Sequence, residues 1–152
     1  MRVFLSTILQ KYRKVWIKGG SKSGIPSGSN IYRGMMEDDG KPKVGESART
    51  LGVRPDVDIP VDANGIVHPN TGGMSVSPSP DALPTHRKPL EFGGTGKDPI
   101  WTINTNDLGA DLTYVPDSPG HGTIQPTKPM SFEDYQKALA DTNINWEKVE
   151  CH

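Results

Sequence analysis

The sequence has almost no cysteine, no long apolar run and, over its first 36 residues, no acid. The single cysteine, Cys151, rules out an internal disulfide and a thiolate-rich zinc site. The fold must hold without such staples, which is compatible with a reducing compartment. No stretch approaches the ~18 apolar residues of a membrane-spanning helix, so no membrane partner is expected. Glu37 is the first acidic residue, and seven of the 17 Lys and Arg come before it. From Glu37 onward 10 basic residues face 18 acidic ones, a formal charge of -8. Phosphate contacts need clustered Lys and Arg, so an acidic body of this kind is not expected to bind nucleic acid.

The 152 residues fit one domain, expected to be monomeric. Gly and Pro together make 31 of them, 17 plus 14, about 20% and below the roughly 25–30% that signals disorder. The chain therefore reads as globular and rich in loops. Residues 1–28 form a basic N-terminal segment with a Gly/Ser loop, and residues 29–152 form the folded domain. The segment Met1 to Lys18 mixes Arg2, Lys11, Arg13 and Lys14 with apolar residues, but no small-residue cleavage site follows a continuous apolar core. A cytoplasmic protein with no secretory signal is expected, its first residues packing on the domain as a helix or strand; the lack of acid also fits a mitochondrial presequence as a minor alternative.

Proline maps the architecture, because each ring removes a backbone donor and is excluded from helix interiors and central strands. Twelve of the 14 prolines lie from Pro55 to Pro129, so that region is built of short strands and loops. Runs with β-branched or aromatic content occur at Ile31–Met35, Gly65–Val67, Met74–Ser77, Ile100–Ile103, Leu112–Val115 and Thr123–Gln125, separated by turn residues. The clearest helix begins at an N-cap, Ser131, and runs from Phe132 to about Asp141, with Phe132, Tyr135 and Leu139 on one apolar stripe. Trp146 is expected to anchor the tail by packing. The resulting class is α+β.

Four places could carry chemistry. Arg33 sits in the middle of the short strand 31–35, beside the acids Glu37, Asp38 and Asp39. It is either a surface arginine paired with one of them or, with Tyr32 beside it, a fork of donors for a nucleotide phosphate or ribose. Thr71-Gly-Gly-Met-Ser-Val-Ser77 places Gly72 and Gly73 where a ligand could approach the backbone, with Ser75 and Ser77 on one strand face. An edge strand with solvent-facing hydroxyls explains the same residues. His121, between two glycines at the start of a strand, can point into a cleft and move a proton, or can simply bond to backbone. His68 and His86 have no partner at metal-ligand spacing, so no metal site is expected. Phe92-Gly-Gly-Thr-Gly-Lys97 lacks the spacing of a phosphate loop and reads as a turn.

Taken in order, Tyr32-Arg33, the block Pro69-Asn-Thr-Gly-Gly-Met-Ser-Val76 and the block His121-Gly-Thr-Ile-Gln-Pro-Thr-Lys-Pro-Met130 leading into a helix resemble a known set. They are similar to the Pseudomonas type VI secretion effectors classed as ADP-ribosyltransferase-like toxins, which have relatives in fungi. The likeness covers residues 29–148 and implies a split, mixed β-sandwich with a few flanking helices and NAD, the substrate, in the cleft. By that resemblance Arg33, Ser75 and His121 are catalytic, and Tyr32, Arg33, Gly72, Gly73, Ser75, Ser77 and His121 bind the dinucleotide. It further implies transfer of ADP-ribose to an unknown intracellular target, or NAD hydrolysis, and a cognate immunity protein. Two departures stand out. Met74 occupies a place where a threonine is expected, and no Glu-x-Glu or Gln-x-Glu motif supplies the usual glutamate; Asp117, Gln125 and Glu133 are the nearby substitutes. The alternative is a noncatalytic protein-binding module whose sensitivity to mutation would centre on exposed aromatics such as Trp101.

Overall fold

The computed structural model describes residues 28–150. The expected N-terminal helix or strand and nearly all of the Gly/Ser loop lie outside them. The described chain is α+β, mostly strands with one α-helix. It begins with β1 (Asn30–Gly34) and a two-rung ribbon of β2 (Glu37–Asp38) and β3 (Lys41–Pro42). A long loop leads to β4 (Ile66–Val67) and β5 (Met74–Val76), then three 3-10 turns, at Pro80–Ala82, Thr85–Arg87 and Leu90–Phe92. The rest is β6 (Ile100–Asn104), β7 (Leu112–Ser118), β8 (His121–Pro126), β9 (Met130–Ser131), α1 (Phe132–Asp141) and β10 (Glu147–Lys148).

Two three-stranded sheets carry the architecture, ordered β1-β6-β10 and β5-β8-β7, with every named pair antiparallel. They meet at one bridge, where Tyr32 and Ser77 exchange backbone hydrogen bonds of 2.8 and 2.9 Å. Proline sits within the sheets where its missing donor does least harm. Pro116 lies on the edge strand β7 and Pro126 at the last residue of the central β8.

The core lies beneath both sheets and gathers Ile31, Met35, Leu51, Met74, Ile103, Ile124, Tyr135, Leu139 and both buried tryptophans, Trp101 and Trp146. Helix α1 starts as its sequence predicts, with the Ser131 hydroxyl accepting the Asp134 N–H at 3.0 Å and leaving fewer bare donors in the first turn. Its stripe then buries Tyr135 and Leu139 fully. The Tyr135 hydroxyl donates to the Ile124 carbonyl at 2.6 Å and accepts the Met74 N–H at 3.2 Å, so the helix clasps β5 and β8 together. Trp146 is buried and donates to the Thr142 hydroxyl at 2.9 Å, as an anchor should.

Candidate functional site

Alternation along β1 puts Arg33 on the face of Ile31 and Met35, and both neighbours are completely buried. The arginine inherits that burial and is only 6% exposed. Acids at 37–39 do not neutralise it; Glu37 pairs instead with Lys148 at 2.6 Å. The guanidinium is held by carbonyls. Its Nε and Nη2 donate to Thr50 at 3.2 and 2.9 Å, Nη2 also donates to Ser47 at 3.3 Å, and Nη1 donates to Ser75 at 2.8 Å. Neither sequence-based expectation, a surface ion pair or a free fork for a ligand, describes this arrangement. Desolvation pulls the group down to about 10, against a smaller opposing pull from Asp58, and it is still charged at neutral pH.

That charge forms one wall of a cavity of about 190 Å³. Ser75, Ser77 and His121 also line it, together with Gly34, Arg54, Asp58, Leu83 and Arg87. Four of the residues singled out from the sequence, at 33, 75, 77 and 121, therefore meet around one hollow. Gly34 makes the enclosure possible, since a Cβ there would lie 2.5 Å from the Arg87 carbonyl of the turn that closes one side. Asp58 accepts from Arg54 through Nη2 at 2.8 Å and Nε at 3.1 Å, and from the Arg54 backbone N–H at 2.8 Å. Burial alone would raise its pKa, but these bonds outweigh burial and hold the carboxyl below its usual range. Arg87 has no ion-pair partner among the described residues. Three guanidinium groups against one carboxylate leave the lining with a formal excess of two positive charges, apart from any charge on His121.

The family model of the Tse2 ADP-ribosyltransferase toxin matches residues 30–151. The chain belongs to that family. Among curated proteins none matches it. The match spans both sheets, α1 and the whole cavity lining of this ADP-ribosyltransferase toxin domain.

Other expected site residues fall elsewhere. Tyr32 gives its backbone to the bridge between the sheets and does not line the cavity. Gly72 and Gly73 are also outside the lining, and the space beside each is filled by protein. A Cβ at 72 would stand 2.5 Å from the Asp58 carbonyl, and one at 73 would stand 2.4 Å from the Ile124 carbonyl. The glycines let the loop slip between those backbones. Met74 points into the core, opposite to Ser75, so its side chain has no part in the cavity wall. Of the three candidate substitutes for the missing glutamate, Gln125 is spent on Asn70 N–H and the Thr123 hydroxyl, and Glu133 is exposed on the first turn of α1. Asp117 instead holds His121. Trp101, expected as an exposed aromatic, is 1% exposed and donates to the Met35 carbonyl at 2.9 Å, because β6 is the central strand of its sheet.

Arg54, Asp58 and Arg87 went unnoticed in the sequence. All three sit outside regular strands, so no periodicity marks them. The available signal was Arg54 and Asp58, opposite charges four residues apart with Pro55 between them. Among the described residues, no helix is long and apolar enough to cross a membrane.

Proposed function

We propose that this toxin-family domain uses NAD as its substrate, and that the cavity holds the end of the dinucleotide where nicotinamide leaves. The convergence of Arg33, Ser75 and His121 on one hollow with a cationic surplus carries this proposal. A hollow of about 190 Å³ is smaller than the ~300–1,000 Å³ of sites that enclose a whole drug-sized ligand. It suits the nicotinamide riboside end, with the doubly charged diphosphate against Arg54 and Arg87. The two three-stranded sheets are then the halves of a split sandwich, joined at Tyr32 and Ser77, with the dinucleotide between them.

Nicotinamide departs with the electrons of its bond to the ribose and leaves a cation-like sugar. A preorganised, partly dry wall stabilises that charge if it presents an anion and fixed dipoles. Asp58, held ionised by Arg54, is the carboxylate in the lining. Ser75, whose carbonyl is fixed by Arg33, presents its hydroxyl to the same space. A target nucleophile or water bonds to the ribose carbon in the same step, as the nicotinamide leaves. In a cell the cavity mouth is where a cognate immunity protein would act, by blocking it.

The test is to incubate the purified full chain with labelled NAD, with and without cell lysate. Label on a macromolecule indicates transfer, and free ADP-ribose with nicotinamide indicates hydrolysis. Ser75→Ala, an exposed position that leaves Arg33 in place, is expected to lower nicotinamide release by about 10²-fold with an unchanged melting curve. Neither product from wild-type protein, with no NAD binding by calorimetry, would refute the proposal.

A further inference from the structure

The hairpin of β7 and β8 contains an irregularity that its neighbours do not need. Pairing runs evenly from Leu112 with Pro126 to Pro116 with Gly122, and then jumps to Ser118 with His121. Asp117 is the extra residue, left without a partner opposite it. Such bulges are a way for a strand to re-aim one side chain, and Pro116, which has no N–H to lose from the ladder, eases the break. The side chain re-aimed here is a carboxylate. Its two oxygens lie 2.8 and 2.9 Å from Nδ1 of His121, the histidine of the cavity lining.

Nδ1 facing a carboxylate must carry the proton, because the carboxylate can only accept. Neutral His121 is therefore held with Nδ1 protonated and Nε2 unprotonated. Among the described residues Nε2 has no hydrogen-bond partner. An unsolicited base at a cavity wall is a proton acceptor waiting for a donor. The chemistry of NAD cleavage says which donor: nicotinamide leaves neutral and needs no proton, whereas an O–H nucleophile must lose one as it bonds to the ribose carbon.

We propose that Asp117 is the positioning residue of a base pair with His121, which takes the proton from the attacking hydroxyl. This rests on the proposed use of NAD. In the step, the nucleophile oxygen bonds to the ribose carbon, the carbon–nitrogen bond to nicotinamide breaks with its electron pair going to the ring nitrogen, and the nucleophile's proton moves to Nε2. The positive charge lost by the pyridinium reappears on the imidazolium, beside the Asp117 carboxylate that stabilises it. The arrangement follows the logic by which a buried aspartate fixes the tautomer of a catalytic histidine, here on an exposed hairpin.

Two measurements on the full chain test this. In wild-type protein, nitrogen-15 spectra of the histidine ring at a pH where it is neutral should show Nδ1 protonated, the less common form of a free imidazole. Asp117→Ala should lose that signature, lower kcat for nicotinamide release by about 10²-fold and leave KM for NAD within about 2-fold, since general-base help amounts to about 10²–10⁴-fold. A wild-type ring protonated at Nε2, or full kcat in the alanine variant, overturns the inference alone. A wild-type chain that neither binds nor cleaves NAD overturns the underlying function and this inference with it.

Discussion

Arg33 and His121 line the same cavity, but one is sealed beneath a strand by four bonds to carbonyls and the other stands 43% exposed at a hairpin. Arg33 reaches two segments at once, through Ser47 and Thr50 on one side and Ser75 on the other, and ties the loop after β3 to the strand β5. Its charge is useful to an anion, but its donors are already committed to the fold. His121 contributes nothing of that kind. Its side chain bonds Asp117, four residues away within the same hairpin. A cavity built this way has a wall that must be present for folding and a rim free to be shaped by chemistry. Mutation of the wall therefore cannot report on catalysis alone, whereas mutation of the rim can.

The largest effect that would break this contrast is expected at the wall. Arg33→Ala strips partners from buried carbonyls at Thr50 and Ser75 and leaves a void, so a loss of ~2–4 kcal/mol in urea unfolding is expected. Loss of toxicity in that variant then says little about NAD. Retention of wild-type stability would show instead that the guanidinium is free for a ligand. Next is Tyr135→Phe, which removes the hydroxyl joining the Ile124 carbonyl to the Met74 N–H behind the cavity. It should cost ~1–3 kcal/mol yet keep nicotinamide release near wild type below its lowered melting point. A selective loss of activity would mean that the clasp on β5 and β8 sets the site geometry.

The contrast also explains what the sequence disclosed. Elements fixed by local chemistry were legible: the Ser131 cap with its Tyr135 and Leu139 stripe, the anchor at Trp146, and the strands β1, β4, β5, β6, β7 and β8 at the named β-branched or aromatic runs. Burial was less so. Trp101 on a five-residue strand reads the same whether β6 is at an edge or in the centre, and only the pairing with β1 and β10 makes it central. Arg33 and His121 could be named as candidates because each sits in an unusual local setting, a charge inside an apolar strand and an imidazole between glycines. Arg54, Asp58 and Arg87 owe their place to loops folded back by distant contacts, such as the backbone bond from Gly73 to the Asp58 carbonyl. No window of sequence holds that information.

A smaller effect sits between wall and rim, at Asp58. Its folded pKa lies below the 3.8 of an unperturbed aspartate, so in the interval between the two the unfolded chain binds the more protons. Stability contributed by the carboxylate is complete above that interval and is lost as pH falls through it. Asp58→Asn should flatten the decline of the urea midpoint below about pH 4, leaving whatever Asp62, lowered chiefly by the bond to His68, adds on its own. An unchanged acid slope would mean that the pair with Arg54 adds nothing to the fold.

The smallest change in stability is expected at the rim, where it sharpens the comparison most. His121→Ala removes a half-exposed ring and one hydrogen-bond partner of Asp117, so unfolding free energy should stay within ~0.5 kcal/mol of wild type. Nicotinamide release should nevertheless fall by about 10²-fold, the reach of a lost general base. Because the wall is intact, NAD is expected to raise the melting point of the variant as much as that of the wild type. A variant that both unfolds early and loses that protection would place His121 in the structural class of Arg33, and the division of the cavity into scaffold and chemistry would fail at the residue where it is most exposed to test.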